Sequence, residues 1–265
     1  MNKKEMKTEN KRAQVTLFII LAIVMIILII GIFYIIRSNT SLGALKKDPQ
    51  NSFRTDIQSC AEQAVAEIEP ELEIHGGFLN PKNNYTMNKT AVAYLCYTSQ
   101  DEELCTNEHP LLTAEMQKQI EEYVKPELES CFDTKKQILS RYDYNQEALT
   151  LGVEIKPSTI NIKINRKVSF NIAEQQVVLE NFDTKINSAL YDFLRITNQI
   201  INEELDCDCG RESCNAQTAQ LMKENQKFFI TKPVFTAKGA EVYRIEEALT
   251  GKQFNFALRN CVRTP

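Results

Sequence analysis

The chain of 265 residues lacks tryptophan altogether and has only two histidines. Without tryptophan, one common anchor of protein and carbohydrate binding hot spots is missing. His75 precedes a Gly-Gly pair and His109 precedes Pro110, so both are expected in solvated loops. Neither histidine is therefore a strong candidate for a catalytic base.

The short motifs of common enzyme classes are missing as well. There is no G-x-G-x-x-G, phosphate-binding loop, H-E-x-x-H or G-x-S-x-G. Acidic pairs such as Glu121-Glu122 and Glu203-Glu204 are typical of solvated helix faces rather than of acid/base pairs. We therefore expect a protein that is not an enzyme, has no catalytic residues and binds neither a cofactor nor a metal.

One segment, residues 15–36, carries no charge, no amide and no proline over 22 residues. At 1.5 Å per residue, a helix of this length spans about 33 Å, enough to cross a hydrocarbon core of about 30 Å. A buried helix of a soluble domain is the alternative, but such helices seldom exceed about 14 fully apolar residues. The segment predicts a transmembrane helix with the lipid bilayer as its partner.

Charges around this segment predict its orientation. Five lysines and arginines and only two acidic residues precede it, which is a net charge of +3. Because such basic flanks are retained in the cytoplasm, we expect a cell-membrane protein with a cytoplasmic N-terminus and with residues 38–265 extracytoplasmic. A cleaved secretory signal is the alternative, but its apolar part would be only about 7–15 residues long. Since the whole chain carries −4 and residues 1–37 carry +4 with Arg37 included, residues 38–265 carry a net charge of −8. This acidic charge argues against nucleic acid as a partner.

The cysteines support the same orientation, because all eight follow the apolar segment. An even number on the proposed outer side is typical of a disulfide framework in an oxidising space. Cys60 and Cys131 lie on the apolar stripes of two predicted helices, so they are plausible partners. Cys96 and Cys105 could close a small loop. The eight candidates are Cys60, Cys96, Cys105, Cys131, Cys207, Cys209, Cys214 and Cys261.

Two metal hypotheses compete with the disulfides in the C-terminal half. Cys207, Cys209 and Cys214, with Cys261 as a fourth ligand, could hold zinc, although structural zinc sites usually use C-x2-4-C pairs. The interleaved acidic residues hint at a calcium loop, but the full twelve-residue pattern is absent. Disulfides remain the favoured interpretation.

Three Asn-x-Ser/Thr triplets, at Asn39, Asn84 and Asn88, are candidate glycosylation sites. All three lie in the part of the chain that is expected outside the membrane. They therefore agree with the predicted topology.

Periodicity predicts the secondary structure that follows a polar tether. Apolar stripes with helical spacing occur at about residues 55–72, 113–132 and 183–205. Alternating apolar and polar residues predict a three-stranded antiparallel meander over residues 149–172. Short strands are expected at about residues 91–97, 228–234, 242–245 and 254–258.

These patterns predict an α+β fold. In it, an N-terminal single transmembrane helix is followed by a disulfide-linked extracytoplasmic ectodomain of helices and antiparallel strands. The expected parts are a basic cytoplasmic leader (1–13), the transmembrane helix (14–37), a tether (38–54), a helical part of the ectodomain (55–145), and antiparallel strands with a long helix and a Cys-rich loop (146–265).

The residues at the start of the apolar segment resemble the leader junction of archaeal type IV pilin-like precursors, which carry a class III signal peptide. Lys11-Arg12-Ala13 is followed by Gln14-Val15-Thr16, as in a short basic leader ahead of an apolar helix. The resemblance implies that a prepilin-type peptidase cuts between Ala13 and Gln14. The chain departs from the family at Phe18, where many pilins have the glutamate that pairs with a neighbour's new N-terminus. That departure puts ordered filament growth in doubt.

Two further stretches are loosely similar to uncharacterised single-pass surface proteins of archaea. They run from Cys60 to Gly76-Gly77-Phe78 and from Thr250-Gly251 to Asn260. This resemblance bears on topology only, because no activity of that group can be carried over.

Three interpretations of function follow. The first is a pilin-like surface subunit that exposes an acidic, disulfide-stabilised ectodomain and contacts copies of itself through its transmembrane helix. The second is a membrane-tethered extracellular binding or adhesion module with no filament role. The third, an extracellular hydrolase or thiol oxidoreductase, is disfavoured because C-x-x-C and a nucleophile–base set are missing.

Overall fold

A computed structural model describes residues 25–26, 49–172, 175–206, 223, 225–231 and 239–261. The chain divides into two compact units, Met1–Ser52 and Phe53–Pro265. The second unit contains nearly all the described residues, and its helices and sheets make an α+β domain.

The helices and strands follow one another along the chain in a mixed order. In sequence order they are α1 Pro49–Ile74, β1 Asn84–Met87, β2 Thr90–Tyr97, β3 Thr106–Asn107, α2 Leu112–Leu139, a 3-10 turn at Ser140–Tyr142, β4 Asn145–Gln146, β5 Thr150–Lys156, β6 Thr159–Asn165, β7 Val168–Ile172, β8 Gln175–Leu179, β9 Thr184–Asn187, α3 Leu190–Leu205, β10 Phe228–Thr231, β11 Glu241–Glu247 and β12 Gln253–Arg259.

The two long helices α1 and α2 form where the sequence has apolar stripes, and both extend further than predicted. Pro70 lies inside α1 and Pro126 lies inside α2. Each helix buries one face: Ile57, Val65 and Ile68 of α1 are at most 1% exposed. Charged residues cover the remaining faces, so these helices pack on a core instead of being apolar all round.

The largest sheet has the strand order β1-β2-β12-β11-β10, with β3 added beside β2. Its pairs are antiparallel except for β2 and β12, which run parallel. The N-terminal hairpin β1–β2 and the C-terminal strands therefore meet in the middle of one sheet. One face of this sheet contributes Leu95, Phe254 and Phe256 to the main core.

Two smaller sheets replace the predicted meander, which was wrong in its third strand. β5 pairs with β6 as expected, but β6 then pairs with β9. β7 instead pairs with β4 and β8 in a separate sheet. The physical reason lies at Arg166 between β6 and β7. Its buried guanidinium pairs with Glu129 at 2.6 Å and lies over the ring of Phe132, so the chain leaves the first sheet there.

The predicted helix at residues 183–205 begins seven residues later than expected, at Leu190. Thr184–Asn187 forms β9, because its backbone pairs with the free edge of β6. The hydroxyl of Ser188 accepts a hydrogen bond from the Leu190 backbone N–H at 3.0 Å and so stabilises the start of α3.

A single large cluster of buried apolar residues connects α1, α2, α3 and the three sheets. Phe53, Phe132, Phe170 and Phe182 meet in this core, with ring centroids 5.5–6.2 Å apart. A smaller cluster of Val92, Tyr94, Ala240, Val242 and Ala257 lies on the other face of the large sheet.

The transmembrane helix in the predicted fold class is contradicted by one finding. Within the described ranges, no helix combines the length and the apolar composition that crossing a bilayer requires. Each long helix there carries charged side chains, such as Arg54 and Glu62 in α1. The predicted helix at residues 14–37 lies outside the described residues except for Met25 and Ile26.

Candidate functional site

A buried acidic cluster lies where the C-terminal half of α1 meets the turn between β11 and β12. Its members are Glu69 and Glu73 of α1, Ser188 before α3, and Glu247 and Lys252 at the turn. We call these five residues the Glu73 cluster. It is the candidate functional site, because it combines buried charge with a perturbed carboxyl group.

The helical repeat explains why two carboxylates are buried there. Residues four apart lie on the same face of a helix, and Ile57, Ala61 and Val65 form a fully buried row in α1. Glu69 and Glu73 continue this row, and each is only 4% exposed. The end of the apolar face of α1 is therefore acidic.

Glu69 is held by two partners. The Ser188 hydroxyl donates a hydrogen bond to Oε1 of Glu69, and the ammonium of Lys252 lies 3.0 Å from Oε2. Both oxygens of this carboxylate are thus compensated, as a buried charge requires. The ion pair also attaches the β11–β12 turn to α1.

Glu73 is compensated less well. Its Oε1 atom is buried and makes no hydrogen bond. The pKa of Glu73 is raised from 4.5 to about 8, chiefly by burial and next by the neighbouring Glu69, whereas Lys252 lowers it and Glu247 raises it by a smaller amount. At neutral pH this carboxyl group is therefore mostly protonated and uncharged.

The turn that carries Lys252 is stabilised by its own backbone. The Gly251 N–H donates to the Glu247 carbonyl at 2.8 Å, and the Glu247 N–H donates to the Lys252 carbonyl at 2.9 Å. Gly251 has a φ of 70°, which glycine adopts without strain. Leu249 at the tip is 87% exposed, so the turn projects into solvent beyond Lys252.

Strands β2 and β12 enclose the end of α1 on another side. A Cβ at Gly76 would lie 3.1 Å from the carbonyl oxygen of Asn255 and 3.1 Å from Cβ of Ala93, so backbone and strand approach closely there. The His75 carbonyl accepts the N–H of Ala93 at 3.1 Å. These contacts fix the helix end beside the cluster.

The arrangement can bind and release a proton at Glu73, and its serine hydroxyl is hydrogen-bonded on both sides. The oxygen of Ser188 accepts the Leu190 N–H, and its hydrogen is donated to Glu69, so this buried hydroxyl links the start of α3 to α1. Among the described residues, no group of three His, Cys, Asp or Glu side chains could hold a metal ion.

The disulfide candidates are placed as follows. Cys60 is joined to Cys131 and Cys96 to Cys105, the two pairs that the sequence favoured. Cys261 is also disulfide-bonded. The other candidates, Cys207, Cys209 and Cys214, lie outside the described residues, together with the zinc and calcium hypotheses that rest on them.

Two of the glycosylation candidates lie on the edge hairpin β1–β2, and both are exposed. The Asn84 amide donates to the Pro81 carbonyl at 2.9 Å. Asn88 and Lys89 form the two-residue connection, and their φ values of 49° and 73° have the sign that a type I′ hairpin turn needs. Asn39 and the processing site Ala13–Gln14 lie outside the described residues.

The histidines are less exposed than the sequence suggested. Nδ1 of His75 is 2.5 Å from the Ala91 carbonyl oxygen, and Nδ1 of His109 is 2.7 Å from Oε2 of Glu115. The ring of His109 also lies 4.3 Å from that of Phe78. Both histidines therefore stabilise local structure, and neither belongs to the Glu73 cluster.

Sequence reasoning missed the Glu73 cluster. The first helix was predicted to end at about residue 72, and α1 continues to Ile74 with Glu73 on its buried face. The available signal was the i+4 row, which brings Glu69 and Glu73 onto the face of Ile57 and Val65. Nothing in the sequence alone connects that row with Ser188 or Lys252.

Comparisons with protein-family models, curated proteins and solved structures returned no match for this chain.

Proposed function

We propose that this chain acts outside the cytoplasm as a disulfide-stabilised module that binds a partner rather than catalysing a reaction. The observation that carries the proposal is the state of the cysteines. All five described cysteines are disulfide-bonded, and one bond ties the two longest helices together across 71 positions of sequence. Disulfides of this kind form and persist in oxidising compartments.

Charge supports the binding role. Residues 38–265 carry a net charge of −8, which favours solubility and disfavours adsorption to nucleic acid or to anionic lipid headgroups. The Glu73 cluster offers a titratable group, and its serine hydroxyl is engaged by Glu69 and by the Leu190 N–H.

Differential alkylation tests the compartment. Cells are quenched in acid, and thiols are blocked with one reagent before reduction and with a second reagent after it. Cys60, Cys131, Cys96, Cys105 and Cys261 should carry only the second label in mass spectra. First-label modification of most of these cysteines in freshly quenched cells would contradict an oxidising location.

Protease added to intact cells provides an independent test of location. Peptides from residues 53–261 should be lost while a cytoplasmic marker protein stays intact. Protection of this part of the chain in sealed cells, with degradation only after lysis, would overturn the proposal.

A pilin-like role for the chain rests on the junction at Ala13–Gln14 and stays a prediction. It requires cleavage there, whereas a binding module does not. The N-terminus of the mature protein therefore distinguishes the two functions.

A further inference from the structure

The edge hairpin β1–β2 contains two Asn-x-Thr triplets, and the binding role proposed above uses neither of them. The first is Asn84-Tyr85-Thr86 and the second is Asn88-Lys89-Thr90. An asparagine in such a triplet is an acceptor for a glycan when it lies in a surface loop of a secreted protein. The fold gives the two asparagines different surroundings, so it distinguishes them as acceptors.

We propose that Asn88 is a glycosylation site of the folded domain and that Asn84 is not. The proposal rests on the location outside the cytoplasm proposed above. In the reaction, Nδ2 of Asn88 forms a bond to the anomeric carbon of an oligosaccharide carried by a lipid-linked phosphate. The bond between that carbon and the phosphate oxygen breaks. The lipid phosphate leaves with the electron pair, and a base of the transferase takes the amide proton.

Asn88 lies at the tip of the hairpin. Met87 and Thr90 pair across the two strands, so Asn88 and Lys89 alone connect them. Both tip residues are exposed, and within the described part of the chain the Asn88 side chain takes part in no hydrogen bond. Its φ of 49° is one that asparagine adopts more readily than most residues. The amide nitrogen of Asn88 is therefore accessible without any opening of the fold.

Asn84 is exposed as well, but its triplet is held in a strand. Its amide nitrogen, the atom that would accept the sugar, donates a hydrogen bond to the Pro81 carbonyl at 2.9 Å. Tyr85 and Thr86 pair with β2, and Tyr85 packs against the smaller apolar cluster. Side chains two residues apart in a strand are about 7 Å apart, so the Thr86 hydroxyl stays away from the Asn84 amide. Modification of Asn84 therefore requires the release of β1 from β2.

The hairpin also leaves space for a bulky group. β1 is the last strand in the order of the six-stranded sheet, and none of the described strands pairs with its outer edge. A glycan at the tip therefore displaces no strand that packs there. It also stands beside an open sheet edge, which is the kind of edge that proteins protect from pairing with another chain.

The test changes Thr90 rather than Asn88, because asparagine is favoured at positive φ by the turn itself. Thr90→Val removes the hydroxyl that the triplet needs but keeps Asn88 and its turn. A β-branched residue also suits this first position of β2. Thr90→Ser retains the triplet and serves as the conservative variant. Thr86→Val is the matched change in the other triplet.

The full chain is purified from its native cells, and its fragments are measured by mass spectrometry. Cyanogen bromide cleaves after Met87 and so places Asn84 and Asn88 on separate fragments. The Asn88 fragment should show the added mass of a glycan, and the Asn84 fragment should have its unmodified mass. Thr90→Val should lose the added mass, whereas Thr90→Ser and Thr86→Val should retain it.

Every other pattern would overturn the proposal. A glycan on neither fragment, or on the Asn84 fragment alone, rejects Asn88 as the site. A glycan on both fragments rejects selection by the fold, and added mass that persists in Thr90→Val rejects the triplet as its cause. Differential alkylation of Cys60 and Cys131 in the same cells separates this failure from that of the proposed location. Oxidised cysteines with an unmodified Asn88 contradict only the glycosylation site, whereas reduced cysteines contradict the location.

Discussion

The Cys60–Cys131 disulfide should be one of the largest single contributions to the stability of the domain. It closes a loop of 71 positions, whereas Cys96–Cys105 closes one of 9. In the chain-entropy relation, a cross-link destabilises the unfolded state by an amount that grows with the logarithm of the loop length. That relation gives about 4.4 kcal/mol for the long loop and about 2.6 kcal/mol for the short one.

The double variant Cys60→Ala/Cys131→Ala should therefore lose about 4 kcal/mol of unfolding free energy, much of the 5–15 kcal/mol typical of a domain. Both side chains are only half-buried on the helix surfaces, so little packing is lost besides the cross-link. The short-loop variant is a less pure test, because Cys96 and Cys105 are 0% and 4% exposed and their removal also leaves a void.

Urea unfolding, followed by fluorescence of the tyrosines and by circular dichroism, provides the measurement. Removing the long cross-link should also raise the m-value, because the unfolded chain becomes less compact. The m-value should rise less when Cys96–Cys105 is removed. A loss below about 1 kcal/mol with an unchanged m-value would refute the idea that this bond acts through the unfolded chain.

Three further predictions concern other parts of the chain. Glu73→Gln should become more stable than the wild type as pH rises. The pKa of Glu73 is raised from 4.5 to about 8, so the wild-type carboxyl group favours folding fully below pH 4.5 and loses that contribution as pH rises through 8. Urea unfolding against the control Glu71→Gln should therefore show a gain of up to about 3 kcal/mol at pH 7 and no gain at pH 4. Gly77→Ala should lower the free energy of unfolding by about 1–3 kcal/mol, since Gly77 has a φ of 96° and a Cβ would lie 2.9 Å from Sδ of Met116. Gly152→Ala is the matched control and should be nearly neutral, because the nearest atom to its Cβ would be 3.9 Å away. If the pilin-like junction is processed, N-terminal sequencing should find Gln14 first and Ala13→Leu should block the cleavage; a mature chain that still begins at or near Met1 would reject that hypothesis.

Elements with a strong local period could be predicted from the sequence. The apolar stripes indicated α1 and α2, and alternation indicated β5, β6, β7, β11 and β12. The spacing on those stripes also indicated the pairing of Cys60 with Cys131. Local physics suffices there, because burial of one face dictates the periodicity.

Pairings between distant segments could not be predicted in the same way. β9 forms because the edge of β6 is free, although residues 184–187 also fit a helical stripe. β2 was predicted but its partner β1 was not, because Asn88-Lys89 lacks the glycine that usually marks a type I′ turn. β2 and β12 lie side by side although about 160 residues separate them in sequence. In each case tertiary contact overrides the local preference.

The Glu73 cluster belongs to the same category. The helical repeat indicates that Glu69 and Glu73 share the buried face of α1, but Ser188 and Lys252, which hold Glu69, come from segments more than 100 residues further along the chain. The stability test of Glu73→Gln therefore probes a tertiary property. Burial is the largest cause of the raised pKa of Glu73, so a carboxyl group that is hydrated in the native state would give no gain at pH 7, and that result would refute the account of the cluster.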